Sequence, residues 1–183
     1  MKPFTVCMYG AASNDIDIKY FREVEAFGRE LGKRGYTLIY GGGGSGLMGA
    51  AARGVRAEGG TIISVIPRFM QGFKDLFKDC TQTIWTDNMG ERKNIMEENG
   101  DAFVIVPGGI GTFDEFFEIL ALATLKQHSS PIILFNIDGY FDSLIKLLEE
   151  TTQKGFIECD VWKYVTVSDN VRDLMKVLGK ATL

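Results

Sequence analysis

Two glycine clusters and a few charged residues carry the chemistry of this sequence. "YGGGGSGLMG" covers residues 40–49 and "PGGIGTFDE" covers residues 107–115. Each follows an apolar run and leads into a stretch with helical spacing. A backbone without Cβ atoms can approach a ligand closely. The unpaired N–H groups of the helix's first turn, aided by its dipole, then favour an anion. Gly41 to Gly46 precede a helix starting near Leu47, and Gly108, Gly109 and Gly111 precede one starting near Thr112. Two such termini can surround a single phosphate.

Commoner nucleotide fingerprints fit poorly. Gly41, Gly43 and Gly46 satisfy G-x-G-x-x-G, but "VIPRF" stands where a dinucleotide fold needs an acidic residue. "GSGLMG" lacks the lysine of a phosphate-binding P-loop. The bland alternative is a pair of tight strand-to-helix turns.

Asp114, Glu115 and Glu118 follow the second cluster. Acids at a helix start compensate the dipole; equally, Glu115 can face whatever the loop binds, with Glu118 one turn further on as a buttress. "NMGERKNIMEENGDAF" (88–103) places Arg92 and Lys93 in a helix before the strand that ends at the second cluster. Two readings stand for this pair: a solvated basic pair balancing Glu91, Glu97 and Glu98, or a grip on an anion. Other chemistries find no support. His128 is the one histidine, near a helix C-terminus, so a Ser–His–Asp site is not expected. No His/Cys grouping has metal-ligand spacing, and Met89 and Met96 read as packing residues.

These residues need a scaffold. Short apolar runs rich in β-branched and aromatic residues recur at 4–9, 36–40, 61–66, 102–107, 131–136 and 164–167. They lack polar alternation, as do strands covered on both faces of a parallel sheet. Helical spacing fills 19–34, 47–58, 88–99, 112–126, 139–153 and 169–179. The alternation predicts an α/β, three-layer Rossmann-like sandwich with a mainly parallel sheet, folded as one domain over 1–183. Residues 68–87 exceed a normal connection and predict either a lid or a short extra strand with its own helical turn.

Composition narrows the function classes. Of 183 residues, 45% are hydrophobic and 24% charged, an ordinary globular balance rather than a disordered one. A net charge of −4 without a Lys/Arg run argues against a nucleic-acid surface. No apolar run approaches a membrane helix. The start "PFTVCMYGAAS" reads as a first strand rather than a secretion signal. Cys7, Cys80 and Cys159 are odd in number and widely spaced, which predicts free thiols and a cytoplasmic protein.

Taken together, "GGGGSGLMG", "MGERKNIM" and "PGGIGTFDE" resemble the LOG ("lonely guy") family, whose members were often labelled lysine decarboxylases. The similarity runs nearly end to end. It implies a nucleoside 5′-monophosphate phosphoribohydrolase that releases an adenine-type base, including N6-substituted adenines of the cytokinin kind, and ribose 5-phosphate. It implies Arg92 and Glu115 as the catalytic pair. Gly43, Gly44, Gly46, Gly109, Gly111 and Thr112 would hold the 5′-phosphate, with Met89 and Lys93 beside the ligand. It further implies a homodimer or larger assembly, with no metal and no cofactor. A non-catalytic carrier of a phosphorylated ligand, such as molybdenum cofactor, is the alternative. The chain departs from the family pattern at Ala11, Ala12, Gly90 and Leu122, which places the base pocket in question.

Overall fold

A computed structural model describes residues 3–182. Seven strands form one sheet: β1 (Thr5–Tyr9), β2 (Thr37–Tyr40), β3 (Ile62–Pro67), β4 (Gln82–Thr86), β5 (Ala102–Ile105), β6 (Ile132–Phe135) and β7 (Val165–Ser168). Their order is β4-β3-β2-β1-β5-β6-β7, and every neighbouring pair is parallel. The expected α/β three-layer architecture is therefore present, with six helices: α1 (Ile18–Lys33), α2 (Gly46–Ala57), α3 (Met89–Asn99), α4 (Ile110–Thr124), α5 (Asp142–Gln153) and α6 (Val171–Ala181).

Period-two side-chain alternation divides the core between the two faces. Val6 and Met8 of β1 point towards α1, α2 and α6, where Phe27, Leu31, Leu47 and Leu174 close the layer. Cys7 and Tyr9 point the other way, towards Met96 of α3, Phe116 and Ile119 of α4, and Leu148 of α5. Burial of β1, β2, β5 and β6 along their whole length explains why their sequences read as unbroken apolar runs.

The long stretch 68–87 resolves into a 3-10 turn at Arg68–Met70 and the edge strand β4. This is the second of the two expected outcomes, a short extra strand with its own helical turn; the first half of that strand, Gln82 and Thr83, is exposed and polar. Between turn and strand the chain crosses the first glycine loop. Gly44 donates to Asp75 O (2.5 Å) and Phe77 N–H to Gly42 O (3.0 Å).

Helices α1 and α2 cross at Gly54, where a Cβ would collide with Glu25 O and lie 2.8 Å from Arg29 N, both backbone atoms of α1. Backbone cannot yield as a side chain can. Gly54→Val is expected to destabilise the fold by about 2–3 kcal/mol through overpacking. At this chain length that lowers Tm by roughly 4–12 °C, readable by thermal denaturation. An unchanged Tm would mean the helices are free to separate.

Candidate active site

In a doubly wound sheet the crevice opens where strand order reverses, beyond the carboxyl ends of the strands. Here that point lies between β1, whose next strand is on one side, and β5 on the other. Both strand ends continue as a zipped pair: Val106 N–H donates to Tyr9 O (2.9 Å) and Ala11 N–H to Pro107 O (3.0 Å). The residues after them, Gly10 to Ala12 and Gly109 to Thr112, form two walls of a cleft of about 360 Å³. Gly41, Met48 and Met70 form a third wall; Met89, Arg92, Asp114 and Glu115 complete it.

Arg92 enters from α3. Asn88 caps that helix by accepting the Glu91 N–H (2.9 Å), while the Glu91 carboxylate accepts from Asp87 N–H (2.7 Å). The capped start fixes Arg92 one turn in, directed inward. Its Nη1 donates to Glu115 Oε1 at 2.9 Å and its Nε to Val65 O at 3.3 Å. Both members of the pair are only 8% exposed, which removes the solvated-pair reading of Arg92. Gly41 makes room for it: a Cβ there would overlap Arg92 Nη2. Burial pushes the Glu115 carboxyl above the ordinary carboxylate range, and the Arg92 guanidinium pulls it back.

The start of α4 has the character expected of an anion-facing terminus. Its first inward bond is Phe113 N–H to Gly109 O (3.1 Å). Among the described residues the N–H groups of Gly109, Ile110, Gly111 and Thr112 have no protein acceptor. Tyr140 braces the loop by donating to Gly108 O (2.6 Å).

Part of the first glycine cluster is bonded within the protein. Gly46 N–H donates to Asn14 Oδ1 (2.8 Å), while Leu47 and Met48 N–H donate to Ala11 O (2.9 and 3.3 Å). Together with Gly44 bonded to Asp75, these amides tie the loop to the rest of the cleft wall. Hence the structure brings Arg92, Glu115, Met89, Gly109, Gly111 and Thr112 together. It does not bring Gly43, Gly44, Gly46 or Lys93 to the lining. Lys93 instead pairs with Asp114 (3.2 Å) and Glu118 (2.5 Å). Sequence reasoning missed Gly10, Gly41, Met48 and Met70; Gly41 alone carried a signal, as the first glycine after β2. Ala11 and Ala12 do line the cleft, whereas Gly90 and Leu122 lie outside it.

Other hollows lack this convergence. The one between α1 and α6, about 610 Å³, is ringed by Arg29, Lys33 and Arg34, but Arg29 pairs with Glu25 and Glu58 and Lys33 with Glu30.

Fold and cleft together define a Rossmann-like α/β protein with an anion-facing helix terminus beside a buried arginine–glutamate pair. The family model described as "Possible lysine decarboxylase" matches residues 48–178. The chain is 36% identical over 173 residues to the cytokinin riboside 5′-monophosphate phosphoribohydrolase of Mycobacterium tuberculosis, covering 94% of this chain and 92% of that protein. It is 38% identical over 152 residues to a probable enzyme of the same name from Oryza sativa subsp. japonica, covering 83% and 67%. This chain belongs to that family, the LOG family of the sequence resemblance. The molybdenum cofactor carrier protein of Chlamydomonas reinhardtii shares the fold, with a TM-score of 0.73 at 22% identity over 99% of both chains. So does the molybdenum cofactor binding protein of Rippkaea orientalis, with a TM-score of 0.73 at 20% identity over 100% and 99%.

Proposed function

We propose that this protein hydrolyses the N-glycosidic bond of AMP or an N6-substituted adenine nucleoside 5′-monophosphate, releasing the free base and ribose 5-phosphate. The observation that carries the reading is the buried Arg92–Glu115 pair in the same cleft as the unpaired amides of α4. The names of the relatives supply the substrate class.

The 5′-phosphate rests on the amides of Gly109, Gly111 and Thr112, where the helix dipole favours it. Binding energy from this remote group positions the ribose. As the C1′–N bond breaks, its electron pair leaves with the base and positive charge develops on the ribose ring, as in glycoside cleavage. The Glu115 carboxylate stabilises that charge and orients the water that adds to C1′, one proton of that water ending on the departing base and the other remaining on the new C1′ hydroxyl. Arg92 holds the carboxylate in place through its Nη1 bond. Met48, Met70 and Met89 offer the base an adaptable apolar wall. The reading includes a homodimer or larger assembly, consistent with the exposed apolar side chains of Phe117, Leu125 and Phe156.

A decarboxylase using pyridoxal phosphate would need a lysine amine that deprotonates readily. Lys93 fits this badly, since its contact with Glu118 raises its pKa. A carrier of molybdenum cofactor needs an anion site but no buried Arg–Glu pair.

The test is incubation with nucleosides and their mono-, di- and triphosphates, scoring free base by chromatography. Release from the monophosphates alone is expected. Equal cleavage of unphosphorylated nucleosides would remove the role given to α4, and tight binding without release would favour the carrier.

A further inference from the structure

The geometry points to Lys93 as a positioning residue that clamps α3 to α4 and thereby sets the Arg92–Glu115 contact, rather than as a ligand for the phosphate. The inference deepens the hydrolase reading and rests on it.

Arg92 and Lys93 are consecutive on α3, as Asp114 and Glu115 are on α4, so two cross-helix links run side by side. The inner one is Arg92–Glu115. The outer one is Lys93 Nζ, 3.2 Å from Asp114 Oδ2 and 2.5 Å from Glu118 Oε2, with the lysine side chain only 18% exposed. Asp114 and Glu118 are one turn apart on α4 and flank Glu115. Lys93 is not among the residues that line the cleft with Gly109 and Thr112.

The outer link has little to replace it. Helix α3 buries Arg92 and Met96, with Ile95 half-buried against the same core, so few apolar side chains anchor it. Glu118 Oε2 is buried with no aligned hydrogen bond, leaving the ammonium as its charge compensation. Glu97, one turn beyond Lys93 on α3, adds another acid: its carboxyl is pushed up to about 7, first by burial and then by Glu118. Without Lys93, the buried Glu118 Oε2 loses its charge partner and the outer link between α3 and α4 is gone. The two helices then part at the point where Arg92 meets Glu115.

Lys93→Met and Lys93→Arg decide the matter through steady-state kinetics on AMP and crystal structures of both variants. Lys93→Met is expected to lower kcat about tenfold or more while KM stays within about twofold, the signature of a lost transition-state arrangement rather than lost binding. Its Arg92–Glu115 separation should open beyond about 3.5 Å, out of hydrogen-bond range. Lys93→Arg, which can still bridge both acids, should restore kcat to within about threefold. A raised KM at unchanged kcat would make Lys93 a phosphate ligand and overturn the proposal, as would an unchanged kcat with the 2.9 Å contact intact. If Lys93→Met fails to fold, Glu118→Gln removes one end of the clamp and must show the same pattern, kcat down and KM steady. If the parent protein releases base from no monophosphate, the hydrolase reading fails by itself, and the Arg92–Glu115 separation in the variant crystals still tests the clamp.

Discussion

Glu115→Gln is expected to lower kcat for base release by about 10²–10⁴-fold while KM changes little, since the carboxylate acts on charge that exists only in the transition state. Glutamine has nearly the same shape and can still accept the Arg92 Nη1 hydrogen bond, so the cleft keeps its geometry and loses its negative charge. The location makes the charge effective. Glu115 is 8% exposed, and a carboxylate shielded from water stabilises a developing cation more strongly than one in solvent. Asp114 is the control: its neighbouring carboxylate is 60% exposed and tied to Lys93, and Asp114→Asn should reduce kcat far less. Steady-state kinetics on AMP with both variants checks this. A Glu115→Gln enzyme within about threefold of the parent would place the reaction's charge stabilisation elsewhere.

How much of this was legible beforehand depends on whether a residue's task is local. The buried strands declared themselves because a strand covered on both faces must be apolar throughout, and Cys7 or Ile39 has no solvent side on which to place a polar group. The α4 terminus was readable for a similar reason, since Gly109 to Thr112 and the helix they open are contiguous in the chain. Arg92 was not decidable from its own segment. Nothing between Asn88 and Asn99 says whether an arginine flanked by acids faces water or the core. The answer comes from Val65 on β3 and Glu115 on α4, residues 27 and 23 positions away. The first glycine cluster also depends on distant partners. Its composition suits an anion, yet the amides of Gly44, Gly46, Leu47 and Met48 are taken by Asp75, Asn14 and Ala11, partners supplied by the β1–α1 connection and by the segment before β4. Lys93 belongs with Arg92: its partners lie on another helix, and sequence spacing alone could not tell a clamp from a ligand.

Removing Arg92 should reveal how stability and activity are divided at this site. Arg92→Met leaves the Glu115 carboxylate buried without its cation, and breaking such a pair costs about 3–5 kcal/mol, or roughly 6–20 °C in Tm. The loss should depend on pH. Burial already raises the Glu115 pKa while Arg92 lowers it, so losing the guanidinium moves it further above the unfolded value. A folded-state pKa raised in this way favours the protonated form. Its contribution is fully present below the unfolded pKa and is lost as pH rises through the folded one. The deficit of Arg92→Met relative to the parent should therefore be smallest in acid and widen towards neutral pH, and the acid limb of kcat/KM should move to higher pH. A Tm difference that stays constant across that range would show that Glu115 is not the group left uncompensated. The double variant Arg92→Met/Glu115→Leu separates the two roles. With both charges gone the site holds apolar groups of similar volume, and stability should return to near the parent value. Activity should not return, because no group remains to face the ribose cation. Recovery of the fold without recovery of turnover would identify the ion pair as a device for catalysis that stability alone does not require.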